Sequence, residues 1–288
     1  MSSLKLIAWD TSSKVGALAA VEWVPAKGVS SPTVRLVAEL QINVDSAHSE
    51  RLLWGVDQVL LSAKWKIADV DVFGVGLGPG SFTGLRIGIT TARTLAHILN
   101  KPLIGVSSLA ALARPVAQWF SLQKVSPLVV AATDACKGEL FALFGSARSV
   151  NDCVVKADGD SAGVWKTGVE EKVFAPEDMI KALKKRLVRG STKKSDAASC
   201  RWIVVGEGRN RYQDYWERLS KKDRIMIPFP FIDHIQGRYV ALLAWEAFQA
   251  GIQRDPLTVH PRYLRASDAE LKLVAGLLPR GPTRDGGS

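Results

Sequence analysis

The apolar positions change their period in a regular order along the first part of the chain. Leu4 to Asp10 is a short apolar run ending in Asp10-Thr11-Ser12-Ser13, the pattern of a buried strand entering a polar turn. Val15 to Trp23 and Arg35 to Asn43 are rich in Val, Leu and Ala at strand length, and the Pro- and Gly-containing segment 25–32 between them reads as a loop. The chain therefore opens with three meandering antiparallel strands. From Ser49 to Lys64 the period becomes helical, with Leu52, Leu53, Val56, Val59, Leu60 and Ala63 on one face. Val70 to Leu77 predicts a buried strand, Thr83 to Leu99 a second helix, Pro102 to Val106 a strand, and Ser107 the start of a third helix. That order predicts an α/β layer unit.

The second half reads as a looser copy. Strands are expected at Leu128 to Thr133 and Leu140 to Phe144, and poorly defined strand patterns over Val150 to Phe174. A helix follows at Pro176 to Val188, with proline in its first turn. Then come a strand at Trp202 to Val205 and helices at Arg209 to Leu219 and Gly237 to Ala250. After Arg265 a short helical pattern gives way to Pro279, Gly281, Pro282, Gly286 and Gly287, a composition expected to be disordered. The expected organisation is an N-terminal unit over 1–113, a related C-terminal unit over 114–265, and a tail over 266–288.

Both early helices carry a second apolar set. Trp54 and Leu61, with Trp65 just beyond, face away from Leu52, Val56 and Val59 at ~100° per residue. In the next helix Leu85, Ile89, Ala92, Leu95, Ala96 and Leu99 form the core stripe, while Ile87, Thr91, Thr94 and Ile98 line the far side. Burial on two sides within one domain would also produce this pattern. Two consecutive helices with apolar outer stripes favour a helix–helix interface with another polypeptide.

Composition narrows the class. Hydrophobic residues are 47% and charged residues 23% of 288, which is globular, and the apolar runs are too short for a bilayer-spanning helix. The N-terminus lacks a secretory pattern, and Cys136, Cys153 and Cys200 form neither a CxxC pair nor an even disulfide set, so a cytoplasmic protein is expected. The net charge of +10 is concentrated in part at Lys181, Lys184, Lys185, Arg186, Arg189, Lys193 and Lys194. No aromatic residue interleaves with them, so a solvated helix face is favoured over an RNA groove.

Two segments suggest chemistry. In Gly76-Leu77-Gly78-Pro79-Gly80-Ser81-Phe82-Thr83-Gly84-Leu85-Arg86 a strand, a glycine turn and a helix start follow one another, a geometry that can offer free N–H groups to an anion. A tight turn that simply needs glycine, capped by Ser81 or Thr83, accounts for it equally well. Asp10-Thr11-Ser12 sits where actin-like ATPases and sugar kinases hold the metal and phosphate, yet the same residues make ordinary turns. Asp10, Thr11, Ser12, Gly78, Gly80 and Ser81 are thus the candidate nucleotide or anion loop. His48, His97, His234 and His260 show no metal spacing, and no GxSxG elbow exists.

Taken together, LIAWDTSS at 6–13, HSERLL at 48–53, GLGPGSFTGLRIGITTARTLA at 76–96, PLIGVSSLAALA at 102–113, DACKGELF at 134–141 and PRYLR at 261–265 resemble the TsaB (YeaZ) family. These are bacterial proteins needed for the N6-threonylcarbamoyladenosine (t6A) modification of tRNA. The resemblance implies an actin-like (ASKHA, ribonuclease H-like) α/β fold of two duplicated subdomains. It also implies a non-catalytic paralogue that pairs with the catalytic subunit TsaD, or with itself when that partner is absent. With the ATPase TsaE it would support threonylcarbamoyl transfer to the adenosine beside the anticodon. No intrinsic cofactor is then expected, ATP and a metal ion lie on the partner subunits, and tRNA is engaged through the complex.

The catalytic paralogue carries two metal-binding histidines in a Val-Asn-His-x-x-x-His segment, where this chain has Val106-Ser107-Ser108-Leu109-Ala110-Ala111-Leu112. Ser108 and Leu112 cannot replace two imidazoles around a metal. Trp54, Leu61, Ile87, Thr91 and Ile98 are the expected partner surface, chosen by periodicity. One departure is Cys136, which stands where the family has an arginine. The rival expectation is an ATPase or phosphotransferase of the same fold working through Asp10 and the loop Gly78 to Ser81.

Overall fold

The computed structural model describes residues 3–25, 33–43, 48–123, 127–151, 169–189, 202–217, 225–226, 233–252 and 255–265. In chain order, β1 (Leu4–Asp10), β2 (Val15–Val24), β3 (Thr33–Asn43), α1 (His48–Ala63), β4 (Val72–Gly76), α2 (Phe82–Ile98), β5 (Leu103–Val106) and α3 (Ser108–Leu122) make the first set of elements. They are followed by β6 (Leu128–Asp134), β7 (Leu140–Ser146), α4 (Ala147–Asn151), β8 (Glu170–Phe174), α5 (Pro176–Arg189), β9 (Trp202–Val205), α6 (Glu207–Arg211), β10 (Ile225–Met226) and α7 (Gly237–Gln249).

The duplication is explicit in the sheets. The first runs β3-β2-β1-β4-β5, and the second, read in the same sense, β8-β7-β6-β9-β10. In each, the first three strands pair antiparallel and the last two join parallel through β1 or β6. This is the duplicated α/β architecture of an actin-like fold.

Alternation along the central strands builds the layers. Ile7 and Trp9 of β1 face a core shared with α1 and α2, while Leu6 and Ala8 face a second core containing α3 and α7. In β6, Val129 and Ala131 join that same second core, whereas Val130 and Ala132 face a third one under α5. Helix α3 packs on β6 and β7, α7 packs on β1, β2, β4 and β5, and the two helices touch each other. The order of layers is therefore α1/α2, first sheet, α7/α3, second sheet, α5. Because β1 and β6 are covered on both faces, their centres are continuous apolar runs, Leu6 to Trp9 and Leu128 to Ala132.

Several expectations change. Leu53 is not core: it is 53% exposed and joins the outward side of α1. Trp65 is not outward; it is half-buried against the α1/α2 core, with Lys5 Nζ 5.3 Å above its ring. Leu95 and Leu99 are half-buried margins of the α2 core stripe. The expected helix at Arg209 to Leu219 starts earlier, at Glu207, and is interrupted at Tyr212 before a further turn at 213–217. The Val150 to Phe174 region contains the end of α4 and the strand β8. The loop 26–32, residues 190–201 of the basic segment and the tail 266–288 lie outside the described residues.

Helix α2 approaches β1 more closely than a side chain allows. A Cβ at Gly84 would lie 2.0 Å from the Thr11 carbonyl oxygen, one at Gly88 2.2 Å from Thr11 Oγ1, and one at Gly80 2.2 Å from the Ser12 carbonyl oxygen. Gly84 and Gly88, four apart, share one side of α2, and Gly80 lies in the turn ahead of it. Gly84→Ala is expected to destabilise the fold by about 1–3 kcal/mol, read as a lower urea midpoint at unchanged slope.

Candidate functional site

At the C-terminal end of β1 the Asp10 carboxylate is fully buried. Its Oδ1 accepts from Ser12 N at 2.8 Å and Ser12 Oγ at 2.6 Å, and its Oδ2 accepts from Ser108 Oγ at 2.5 Å. Ser108 Oγ in turn accepts from Gly78 N at 3.0 Å. A Cβ at Gly76 would sit 1.8 Å from Oδ2, so the fourth side is closed by backbone. Burial raises the Asp10 pKa above the ordinary carboxylate range, and the bonds from Ser108 and Ser12 pull it partly back.

The rest of the candidate loop is equally committed. Thr11 and Ser12 are buried, and Thr11 Oγ1 donates to Gly84 O at 2.7 Å. Ser81 N donates to Ser12 O at 2.7 Å, and Ser81 Oγ caps α2 by accepting from Gly84 N at 3.2 Å. Trp9 Nε1 donates to Gly88 O at 3.0 Å, which completes the weld of β1 to α2. Gly78 is buried, Gly80 half-buried and Ser81 exposed. The structure thus brings Asp10, Thr11, Ser12, Gly78, Gly80 and Ser81 together: Asp10 and Thr11 are spent on internal hydrogen bonds, while Ser12, Gly80 and Ser81 also line the cleft in front.

A cleft of about 940 Å³ separates the two subdomains in front of this junction, and Lys14, Arg86, Asp134, Lys137, Glu207 and Arg211 are among its lining. Its cations are partly neutralised: Arg211 Nε lies 3.1 Å from Asp134 Oδ2 and Arg265 Nη1 3.5 Å from Glu139 Oε2. Burial, and after it the neighbouring Asp134 carboxylate, raise the Glu207 pKa. Cys136 is exposed at the β6–β7 turn, where its N–H donates to Asp134 Oδ1 at 3.0 Å. Leu112 is core, and Ser108 is the buried partner of Asp10. Among the described residues no group of three His, Cys, Asp or Glu is placed to hold a metal ion.

The outer layer presents a different surface. On α1, Leu53, Trp54 and Leu61 are 53%, 52% and 70% exposed, and Ile98 at the end of α2 is 72% exposed. The exposed Asp57 lies among the α1 set on the helix surface. Ile87 and Thr91 are half-buried, and Ile87 packs against the core, so they form the inner margin of this face. Helices α1 and α2 pack side by side, and both outward sets belong to one layer. Periodicity missed Leu53, since it lies only ~20° from Leu60 on the helical wheel.

Comparison with known proteins follows the same lines. A family model described as "TsaD: tRNA N6-adenosine threonylcarbamoyltransferase" matches residues 42–273. The chain is 29% identical over 265 residues to the tRNA threonylcarbamoyladenosine biosynthesis protein TsaB of Haemophilus influenzae, covering 92% of this chain and 95% of that one. A Pseudomonas aeruginosa crystal structure described as similar to peptidase YEAZ superposes with a TM-score of 0.61 at 26% identity, over 92% of this chain and all (100%) of the other. YeaZ from Pseudomonas aeruginosa gives 0.58 at 25% identity, over 91% and 100%. No helix among the described residues is long and apolar enough to cross a membrane. With a TsaD-type model across most of its length, and TsaB and YeaZ proteins as its full-length relatives, the chain belongs to the TsaB (YeaZ) family.

Proposed function

We propose that this protein is a non-catalytic scaffold subunit in t6A modification of tRNA. Membership of the TsaB family supports the place in that pathway. The finer role is to pair, through α1 and α2, with a TsaD-type catalytic subunit, and so to support docking of a TsaE-type ATPase. A second copy of the chain takes the same face when the partner is absent. ATP, metal ion and tRNA are handled by the assembled complex, in the cytoplasm.

The observation that carries this proposal is the apolar outer face of Leu53, Trp54, Leu61 and Ile98 on two adjacent helices. Exposed leucines occur singly on most surfaces, but a tryptophan and three aliphatic side chains on one layer are the composition of an interface centre. The rival function, a phosphotransferase using Asp10 and the Gly78 to Ser81 loop, asks for a carboxylate that can reach a metal–phosphate group. Asp10 instead has both oxygens engaged by serines and no exposed surface.

Two outcomes are expected. Trp54→Glu or Ile98→Arg abolishes co-elution with the TsaD-type subunit on size-exclusion chromatography while the far-UV circular dichroism stays that of the parent; a double variant that still co-elutes would place the interface elsewhere. For Asp10 the sign follows from burial. With its pKa raised in the fold, the folded chain holds the proton more tightly than the unfolded chain. That stabilisation is complete below about pH 4 and is lost as pH rises through the raised value. Asp10→Asn therefore removes a downward slope from the plot of unfolding free energy against pH, measured by urea titration. A metal–phosphate ligand kept ionised would show the opposite slope.

A further inference from the structure

The segment 255–265 contains the Pro261 to Arg265 motif, which neither the outer face nor the Asp10 junction uses. It runs along α2 as a strap. Arg93 Nη2 donates to Leu257 O at 2.8 Å, and Val259 is buried in the α1/α2 core. Arg262 N donates to Leu77 O at 2.8 Å, just ahead of α2. The Tyr263 ring stacks on Phe82 with centroids 4.7 Å apart, and Arg86 Nε donates to the Tyr263 hydroxyl at 3.3 Å. Phe82, Arg86 and Arg93 fall within an arc of ~40° on the helix, and Ile87, Thr91 and Ile98 occupy an arc centred ~140° away. The strap and the outer face thus use different sides of one helix.

At its far end the strap crosses to the second subdomain. The Arg262 guanidinium pairs with the buried Glu171 carboxylate of β8, and Arg265 Nη1 donates to Ala135 O at 2.8 Å. Glu171 Oε1 also accepts from Ser107 Oγ at 3.0 Å, and Ser107 is the N-cap of α3 at the end of β5. One buried carboxylate therefore ties the second sheet to the β5–α3 junction of the first subdomain and to the strap behind α2. Removing it would leave the Arg262 guanidinium without its charge partner and Ser107 without its acceptor.

We propose that Glu171 is a positioning residue, which fixes the angle between the subdomains and, through the strap, the pose of α2, so that docking of the TsaD-type subunit depends on a carboxylate outside the docking face. The coupling rests on the docking role proposed above; the latch itself does not. The test combines hydrogen–deuterium exchange of the full chain with its affinity for the TsaD-type subunit. In Glu171→Ala, peptides covering 255–265 and 76–86 are expected to exchange about tenfold faster, α1 to exchange as in the parent, and binding to weaken about tenfold. Glu171→Gln, which keeps an acceptor for Ser107 and Arg262, restores affinity to within about threefold of the parent. Should Glu171→Ala not fold, Ser107→Ala reports on the same tie with smaller changes in the same direction. Unchanged exchange of the strap would overturn the latch, and faster exchange with unchanged affinity would overturn the coupling. Ile98→Arg separates the two proposals: it is expected to lose binding with parental strap exchange, and normal binding by that variant would remove the docking role while leaving the exchange result for Glu171 intact.

Discussion

The contact between α2 and the turn after β1 is the constraint on which the first subdomain depends. Gly84 and Gly88 let the helix rest on Thr11, and Gly80 in the turn ahead of it lies against Ser12, while on the opposite face of the sheet the Asp10 carboxylate takes three donors from Ser12 and Ser108. A buried charge of this kind is tolerated only when nearly every lone pair is used, and it is strongly destabilising to leave its donors orphaned. The junction ties α2 to β1 through Trp9 and Thr11, so that the opposite side of that helix is left to the outer face, and the junction's Ser12, Gly80 and Ser81 line the cleft between the subdomains.

The duplicated topology makes the second half an internal control. Asp134 ends β6 as Asp10 ends β1, on strands at the same place in their sheets. Its surroundings are different: α6 is five residues long where α2 has seventeen, and Asp134 meets Arg211 and the Cys136 N–H at the edge of the cleft. The same strand end thus gives a sealed acid where Ser108 and the Gly76 backbone close over it, and a cleft-facing ion pair where Arg211 approaches it.

Much of this was legible in the sequence. The switch from period two to helical period placed β1 to β3, α1, β4, α2 and β5 within a few residues, because each element packs against a continuous core and must repeat its apolar positions. The outer face was legible for the same reason at Trp54, Leu61 and Ile98. It failed at Leu53, which borders the core arc, and at Trp65, which lies beyond the end of α1 and folds back. The glycine motif could not be resolved from local sequence, since an anion loop and a close helix–strand contact need the same residues. The side chain that meets Asp10 Oδ2 is Ser108, 98 positions away in the chain, which no local pattern encodes. The Glu171, Ser107 and Arg262 tie is likewise made of pairs separated by 64 and 91 residues, and no periodicity encodes such a meeting.

The central claim is that another polypeptide covers the outer side of α1 and α2. A photo-crosslinking side chain placed at Leu61, in cells that contain the TsaD-type subunit, tests it most directly, because the reactive group samples only what lies within side-chain reach. A crosslinked species containing that subunit is the result expected, with none formed from the same side chain at Lys14 in the cleft. Crosslinks from the cleft position alone, with Leu61 reacting only with water, would contradict the account.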